Sequence, residues 1–207
     1  DTVGFPKDKI YLLADYPSAY NSYIGNPTDS AGLQAVANKV INWRGHTESH
    51  GYKTTYFYGI DEAWSDVLAT EIPAWQTVHN NGGKVWTAVD NNVNSVNVVG
   101  DILDVANFYG DWPSQVPVWH SHGKKIFLYG KPQVGVENPD IYRKNYGFNL
   151  WNYGYDGEMN FAYQYDFSGN IWNDYDYKGS SYFYRDHVFA YPTSNGVIDT
   201  IQWEGFR

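Results

Sequence analysis

The residues of this chain best suited to chemistry lie together in Tyr56-Phe57-Tyr58-Gly59-Ile60-Asp61-Glu62-Ala63-Trp64. A β-branched and aromatic run ends in two adjacent carboxylates, and an indole follows. Two carboxyls held close cannot both ionise easily, so one is pushed toward its acid form. A carboxyl in that state can protonate the leaving oxygen of a glycosidic bond. The dipeptide alone carries little weight. With 17 Asp and 6 Glu in the chain, about half an Asp-Glu pair is expected by chance. The alternative is an acidic pair favouring the positive end of the helix that follows. Position in the fold therefore has to decide. Successive strand residues point to opposite faces, so Asp61 and Glu62 serve one site only if the backbone leaves strand geometry there.

Elements that could position such a pair alternate along the chain. Strands are predicted over Lys9–Tyr16, Thr54–Ile60, Lys84–Asp90, Ile102–Phe108, Lys125–Tyr129 and Gly157–Tyr165. Thr28-Asp29-Ser30 is a capping cluster before Leu33, Val36, Ala37, Val40 and Ile41 at helical spacing. Ser65 is a candidate cap for a second helix carrying Val67, Leu68, Ile72, Trp75 and Val78, and Asn80-Asn81-Gly82-Gly83 stops it. Val116–His122 is a short helix, and Pro139 starts another that runs through Trp151. The segment Ile171–Tyr184 reads as a loop. His187–Tyr191 and Val197–Trp203 form a hairpin around Ser194-Asn195-Gly196.

Alternating β and α segments imply a parallel sheet. The expectation is an α/β fold of the (β/α)8 barrel type, incomplete at the N-terminus. About six βα units are visible, with a C-terminal hairpin, in a single domain over residues 1–207. The chain then reads as a piece of a longer protein, with further segments completing the barrel. Polar and aromatic residues gather at the C-terminal strand ends, where barrels and open α/β sheets both place their sites. They include Asp15-Tyr16, Asp61-Glu62, Asp90-Asn91, Asn107-Phe108, Tyr129 and Gln164-Tyr165.

Composition narrows the ligand class. Tyr, Trp and Phe make up 19% of the chain and Lys plus Arg total only 14. Flat apolar rings with polar tips suit the C–H faces and hydroxyl rims of uncharged sugars. The net charge of −9 and the lack of a basic run argue against nucleic acid. No apolar stretch reaches the length of a membrane span. No glycine-rich phosphate loop follows a strand, so no nucleotide cofactor is expected. Cysteine is absent, which excludes thiol chemistry. Asp1-Thr2-Val3-Gly4 shows no signal-peptide pattern. His46 and His50 have helical metal-ligand spacing but no nearby carboxylate to complete a site, and no metal is expected. His120-Ser121-His122 reads as a surface turn, and Ser-His-Asp catalysis has no elbow motif here.

The candidate sugar contacts are Asp15, Tyr16, Tyr58, Trp64, Trp86, Asn91, Asp104, Tyr129, Trp151 and Tyr165. Trp86 and Trp151 read equally well as core. Asp90, Asp156 and Asp166 are further acids, and each alone is more often a loop or cap residue. Asp104, predicted within a strand, is placed to face a barrel interior.

Tyr58-Gly59-Ile60-Asp61-Glu62-Ala63-Trp64 resembles the strand-end motif of the glycoside hydrolase family 123 catalytic domain and its uncharacterised relatives. Arg143, Gly147–Trp151 and Tyr153-Gly154-Tyr155-Asp156-Gly157 look like that family's helix leading to its last barrel strand. Tyr191-Pro192, followed by Asn195 through Arg207, is similar to the segment closing that domain. The likeness covers most of the chain from Ile10 on. Ala63 departs from it, since proline is frequent there in relatives. The resemblance implies a (β/α)8 barrel and retaining, substrate-assisted hydrolysis of β-linked N-acetylhexosaminides, typically N-acetylgalactosamine. It would make Glu62 the general acid/base, and Asp61 the residue that orients the 2-acetamido group. Two other readings stay open: a non-catalytic carbohydrate-binding or structural module, and a conventional retaining glycosidase with Glu62 as acid/base. A glycan partner fits an extracellular or cell-surface location, the periplasm included.

Overall fold

The computed structural model describes residues 6–13, 23–89, 94–129, 138–160, 163–165, 172 and 187–206. It divides into two compact units. The first is Asp1–Tyr109 with Pro117–Ile126, and the second is Gly110–Val116 with Phe127–Arg207.

In the first unit β1 (Ile10–Tyr11), β2 (Thr55–Tyr58), β3 (Lys84–Val89) and β4 (Val105–Tyr109) pair in parallel and in chain order. Helix α1 (Ser30–Ser49) starts where Thr28-Asp29-Ser30 predicts, with the Asp29 carboxylate accepting the amides of Ala31 and Gly32. Two orphan amides of the first turn are thereby satisfied. Helix α2 (Ser65–Asn80) opens at Ser65, with Trp64 at the N-cap position making no side-chain cap bond, and a short α3 (Ser95–Val99) precedes β4.

Side-chain alternation sorts the strands into two faces. Phe57, Val85, Thr87, Val89, Ala106 and Phe108 are fully buried, as are Trp75, Val78 and Trp119 on the helices. The Phe108 and Trp119 rings meet edge to face at 6.0 Å. Tyr11, Tyr56, Tyr58 and Trp86 alternate with these residues on the other face. Tyr11 stacks on Tyr56 at 4.4 Å, and Tyr58 lies 4.5 Å from Trp86. Both faces of the sheet are thus covered by apolar or aromatic surface, as a buried parallel sheet requires.

The chain continues through α4 (Val116–Ser121), β5 (Lys125–Tyr129), α5 (Pro139–Arg143), a single π-turn segment (Lys144–Phe148), α6 (Asn149–Tyr153) and β6 (Gly157–Glu158). In the second unit α6 ends at Gly154, whose φ of 78° is the left-handed cap position. The amides of Gly154 and Tyr155 both reach Leu150 O, closing the helix. Tyr142, Tyr146 and Phe189 form the core here, with Leu150, Trp203 and Phe206 packed on it. β7 (Gln164–Tyr165) pairs antiparallel with β8 (His187–Val188), and β9 (Ala190–Thr193) with β10 (Gly196–Asp199).

Three expectations are corrected. The (β/α)8 barrel is not formed: the described strands give a six-stranded parallel sheet in the order β1 to β6, with β1 and β6 as open edges. A closed barrel would pair its first and last strands. The sixth predicted strand is shorter, because only Gly157 and Glu158 pair with β5, while Gln164 and Tyr165 join another sheet. The second hairpin arm stops at Asp199. Thr200 then caps α7 (Ile201–Phe206), its hydroxyl taking the Trp203 amide at 3.3 Å. A side-chain acceptor at that position ends the strand by starting a helix.

Candidate functional site

Asp61 and Glu62 follow β2 immediately, and the backbone leaves strand geometry there. Glu62 has φ 48°, the one positive value at a non-glycine among the described residues. A left-handed conformation costs an L-residue with a Cβ about 1–2 kcal/mol, so surrounding bonds must hold it. Gly59 N–H binds Trp86 O at 3.0 Å and Glu62 N–H binds Ala88 O at 3.1 Å, both on β3. Between them, Ile60 O accepts the Thr87 hydroxyl at 2.8 Å. Ile60 N–H does not reach a strand; it donates to Glu71 Oε2 on α2 at 2.8 Å. The turn is clamped from β3 and from the helix behind it.

The Tyr58 hydroxyl donates to Asp61 Oδ1 and lies 3.4 Å from the Ala88 amide. Burial raises the Tyr58 pKa well above the usual phenol value, and the Asp61 carboxylate raises it further through its hydrogen bond and charge; Glu62 adds a smaller repulsion. The phenol therefore stays a donor at any ordinary pH, and both carboxylates act on it. Asp61 and Glu62 are themselves exposed. Trp64, two residues on, exposes 63% of its surface at the start of α2. An indole that open, beside acids, can stack on a ligand ring.

Glu71 lies outside the predicted set of site residues. It is fully buried, and Oε2 also accepts Trp75 Nε1–H at 3.2 Å. Burial pushes its carboxyl up to about 8, against the lowering effect of the Ile60 and Trp75 hydrogen bonds. The signal was in the sequence: Glu71 falls on the same helical stripe as Leu68, Trp75 and Val78, where an acid interrupts an apolar face.

The predicted contacts are dispersed. Tyr58, Asp61 and Trp86 come together, but Tyr58 and Trp86 are buried side by side. Trp86 Nε1–H is committed to Leu12 O at 3.0 Å. Asp104 precedes β4 and binds at the opposite strand ends, to His79, Lys84 and the Val85 amide. It is not within a strand, and it lies away from Asp61. Tyr129 is buried at the end of β5, Trp151 is 85% exposed on α6, and Tyr165 ends β7. These three belong to the second unit, as does the exposed Asp156. Asp15, Tyr16, Asp90, Asn91 and Asp166 lie outside the described residues. Also in the second unit, the Tyr155 hydroxyl accepts the Trp112 amide at 2.8 Å and donates to Asp111 Oδ1 at 3.2 Å. Burial pushes the Glu158 carboxyl in β6 up to about 8. Among the described residues no three His, Asp or Glu cluster as a metal site would need.

No protein-family model and no curated protein sequence matches the chain. The fold is similar to that of a family 123 glycoside hydrolase from Clostridium perfringens, whose structural analysis addressed glycolipid glycan hydrolysis. The TM-score is 0.61 at 15% identity, covering 87% of this chain and 34% of that one. The chain spans about a third of that enzyme's length, and at this identity the likeness is one of fold.

Proposed function

We propose that this chain is a glycoside hydrolase acting on β-linked N-acetylhexosaminides, with N-acetylgalactosamine the favoured sugar. The observation that carries this is the turn at Asp61-Glu62. The left-handed Glu62 breaks strand alternation, and the Tyr58 hydroxyl holds Asp61 beside it. Adjacent carboxylates with different surroundings suit a division of labour.

In this reading Asp61 Oδ2 takes the N–H of the substrate's 2-acetamido group, while Oδ1 keeps the Tyr58 hydrogen bond. The amide is then turned so that its oxygen attacks the anomeric carbon. Glu62 gives its proton to the leaving oxygen as that bond breaks, leaving a cyclic oxazolinium. Glu62, now a base, takes a proton from water, which opens the ring with overall retention. No enzyme nucleophile is needed. Trp64 offers its ring to an apolar sugar face. A glycan partner and an extracellular or cell-surface setting accompany this proposal.

The test offers an aryl β-N-acetylgalactosaminide and the matching 2-hydroxy galactoside to wild type, Glu62→Gln and Asp61→Asn. Cleavage of the acetamido substrate alone, lost in both variants, is expected. Equal cleavage of both substrates removes substrate assistance and leaves a conventional retaining enzyme. Glycan binding without turnover identifies a carbohydrate-binding module instead.

A further inference from the structure

Four backbone bonds or contacts shape the strand end, and three of them are made by β3. The fourth is the exception: Ile60 N–H, two residues before Glu62, is satisfied from α2 by a carboxylate. A buried amide without an acceptor costs about 1–3 kcal/mol, so whatever supplies that acceptor also decides where the turn lies. The supplier is Glu71, itself oriented by Trp75 Nε1–H.

The packing around Gly59 confirms how tightly this carboxyl is fitted. A Cβ at Gly59 would come within 2.9 Å of Trp75 Cζ2, 3.0 Å of Glu71 Oε2 and 3.2 Å of Thr87 Cβ. Backbone and carboxyl are therefore pressed together, with room for a glycine and nothing larger. Glu71 Oε1 is buried without a hydrogen-bond partner among the described residues. Leu at this position would fill similar space without an orphaned oxygen. A buried acid with one oxygen unsatisfied is a poor choice for packing alone, while its other oxygen makes the one bond to the turn that comes from the helix rather than from β3.

The geometry points to Glu71 as the positioning residue of the Asp61-Glu62 pair: its Oε2, steered by Trp75, anchors the Ile60 amide and so holds Glu62 in the left-handed conformation. Its bearing on catalysis rests on the proposed hydrolase reading; its bearing on the turn does not. Glu71 does not touch the reacting atoms and acts through the backbone of Ile60.

Three variants of the full chain test this. Glu71→Leu removes the acceptor, Glu71→Gln keeps a carbonyl oxygen there, and Trp75→Phe removes only the donor that steers it. The readouts are amide hydrogen exchange at Ile60 and Glu62 and a crystal structure of each folded variant. For the glycosidase, kcat and KM are measured separately on the aryl β-N-acetylgalactosaminide. In Glu71→Leu, faster exchange at Ile60 and loss of the positive φ at Glu62 are expected. A fall in kcat of roughly ten- to hundredfold with KM held is expected with them. Glu71→Gln should restore both. Should Glu71→Leu fail to fold, Trp75→Phe carries the test, with faster exchange confined to the Ile60–Glu62 turn. Unchanged turn geometry and exchange in folded Glu71→Leu, or in Trp75→Phe if that is the one that folds, overturns the inference. If wild type cleaves no glycoside, the proposed reaction fails, and the exchange and crystal readouts still decide the role of Glu71.

Discussion

The two ends of the strands in the first unit treat their carboxylates in opposite ways. At the N-terminal end, Asp104 is only 12% exposed and every oxygen is occupied. Lys84 Nζ lies 3.0 Å from Oδ1, while His79 Nε2 at 2.7 Å and the Val85 amide at 2.8 Å share Oδ2. Burial acts to raise its pKa, but the His79, Val85 and Lys84 bonds outweigh it and hold the carboxyl below the usual range. At the C-terminal end, Asp61 and Glu62 are exposed, one sits on strained backbone, and the buried acid beside them is pushed up rather than down. A saturated, charged carboxylate ties α2, β3 and β4 together. Exposed acids on a strained turn cost stability, and such strain gathers where a protein must present groups to a ligand.

The largest expected effect separates the ends by activity. Glu62→Gln should lower kcat roughly 10²- to 10⁴-fold on the acetamido substrate, with thermal stability unchanged. Glu62→Gly should raise stability by up to about 1 kcal/mol by relieving the left-handed residue, measured by urea unfolding. A loss of stability in Glu62→Gly would show that the turn is not strained.

Next is Gly59→Ala, expected to cost about 1–3 kcal/mol because its methyl meets Trp75 and Glu71. Asp104→Asn should cost about 2 kcal/mol by weakening charged hydrogen bonds, with no change in kcat. A matching loss of kcat at full folding would mean that the two ends are coupled.

The ends should also respond to pH with opposite signs. The depressed Asp104 contributes stability that is present above its unfolded value of 3.8 and is lost as pH falls through the lower folded value. The raised Glu71 works the other way: its contribution is full below 4.5 and is lost as pH rises toward about 8. Inside that window the slope is at most about 1.4 kcal/mol per pH unit. Urea unfolding across pH should show Glu71→Gln flattening the alkaline side and Asp104→Asn the acid side. The same flattening from both variants would erase the distinction.

The smallest expected effect is Trp64→Ala. With an exposed ring, its stability should stay within about 0.5 kcal/mol of wild type, while KM for the glycoside rises. An unchanged KM would remove Trp64 from the site.

Much of this was legible locally. The Asp29 cap, the runs that become β2, β3 and β5, and the placement of Asp61-Glu62 after a strand all follow from short-range pattern. Trp86 was ambiguous because a strand tryptophan can face a ligand or a neighbouring ring. Its partners, Tyr11, Tyr58 and Leu12, come from two other segments of the chain. Asp104 escapes a local reading for the same reason: its partners lie 19 to 25 residues away.

By itself, the sequence determined the periodicities, the caps and the types of residue at the strand end, since each depends on neighbours within a few positions. Only the tertiary structure decided three further things. Among the described residues the edges of the sheet stay open, because strand closure depends on which distant segments pair. Asp104 ties strands together, because its donors arrive from α2 and β3. The Asp61-Glu62 turn is held by Glu71, because a backbone amide with no strand partner takes whatever acceptor the packing of a helix brings to it.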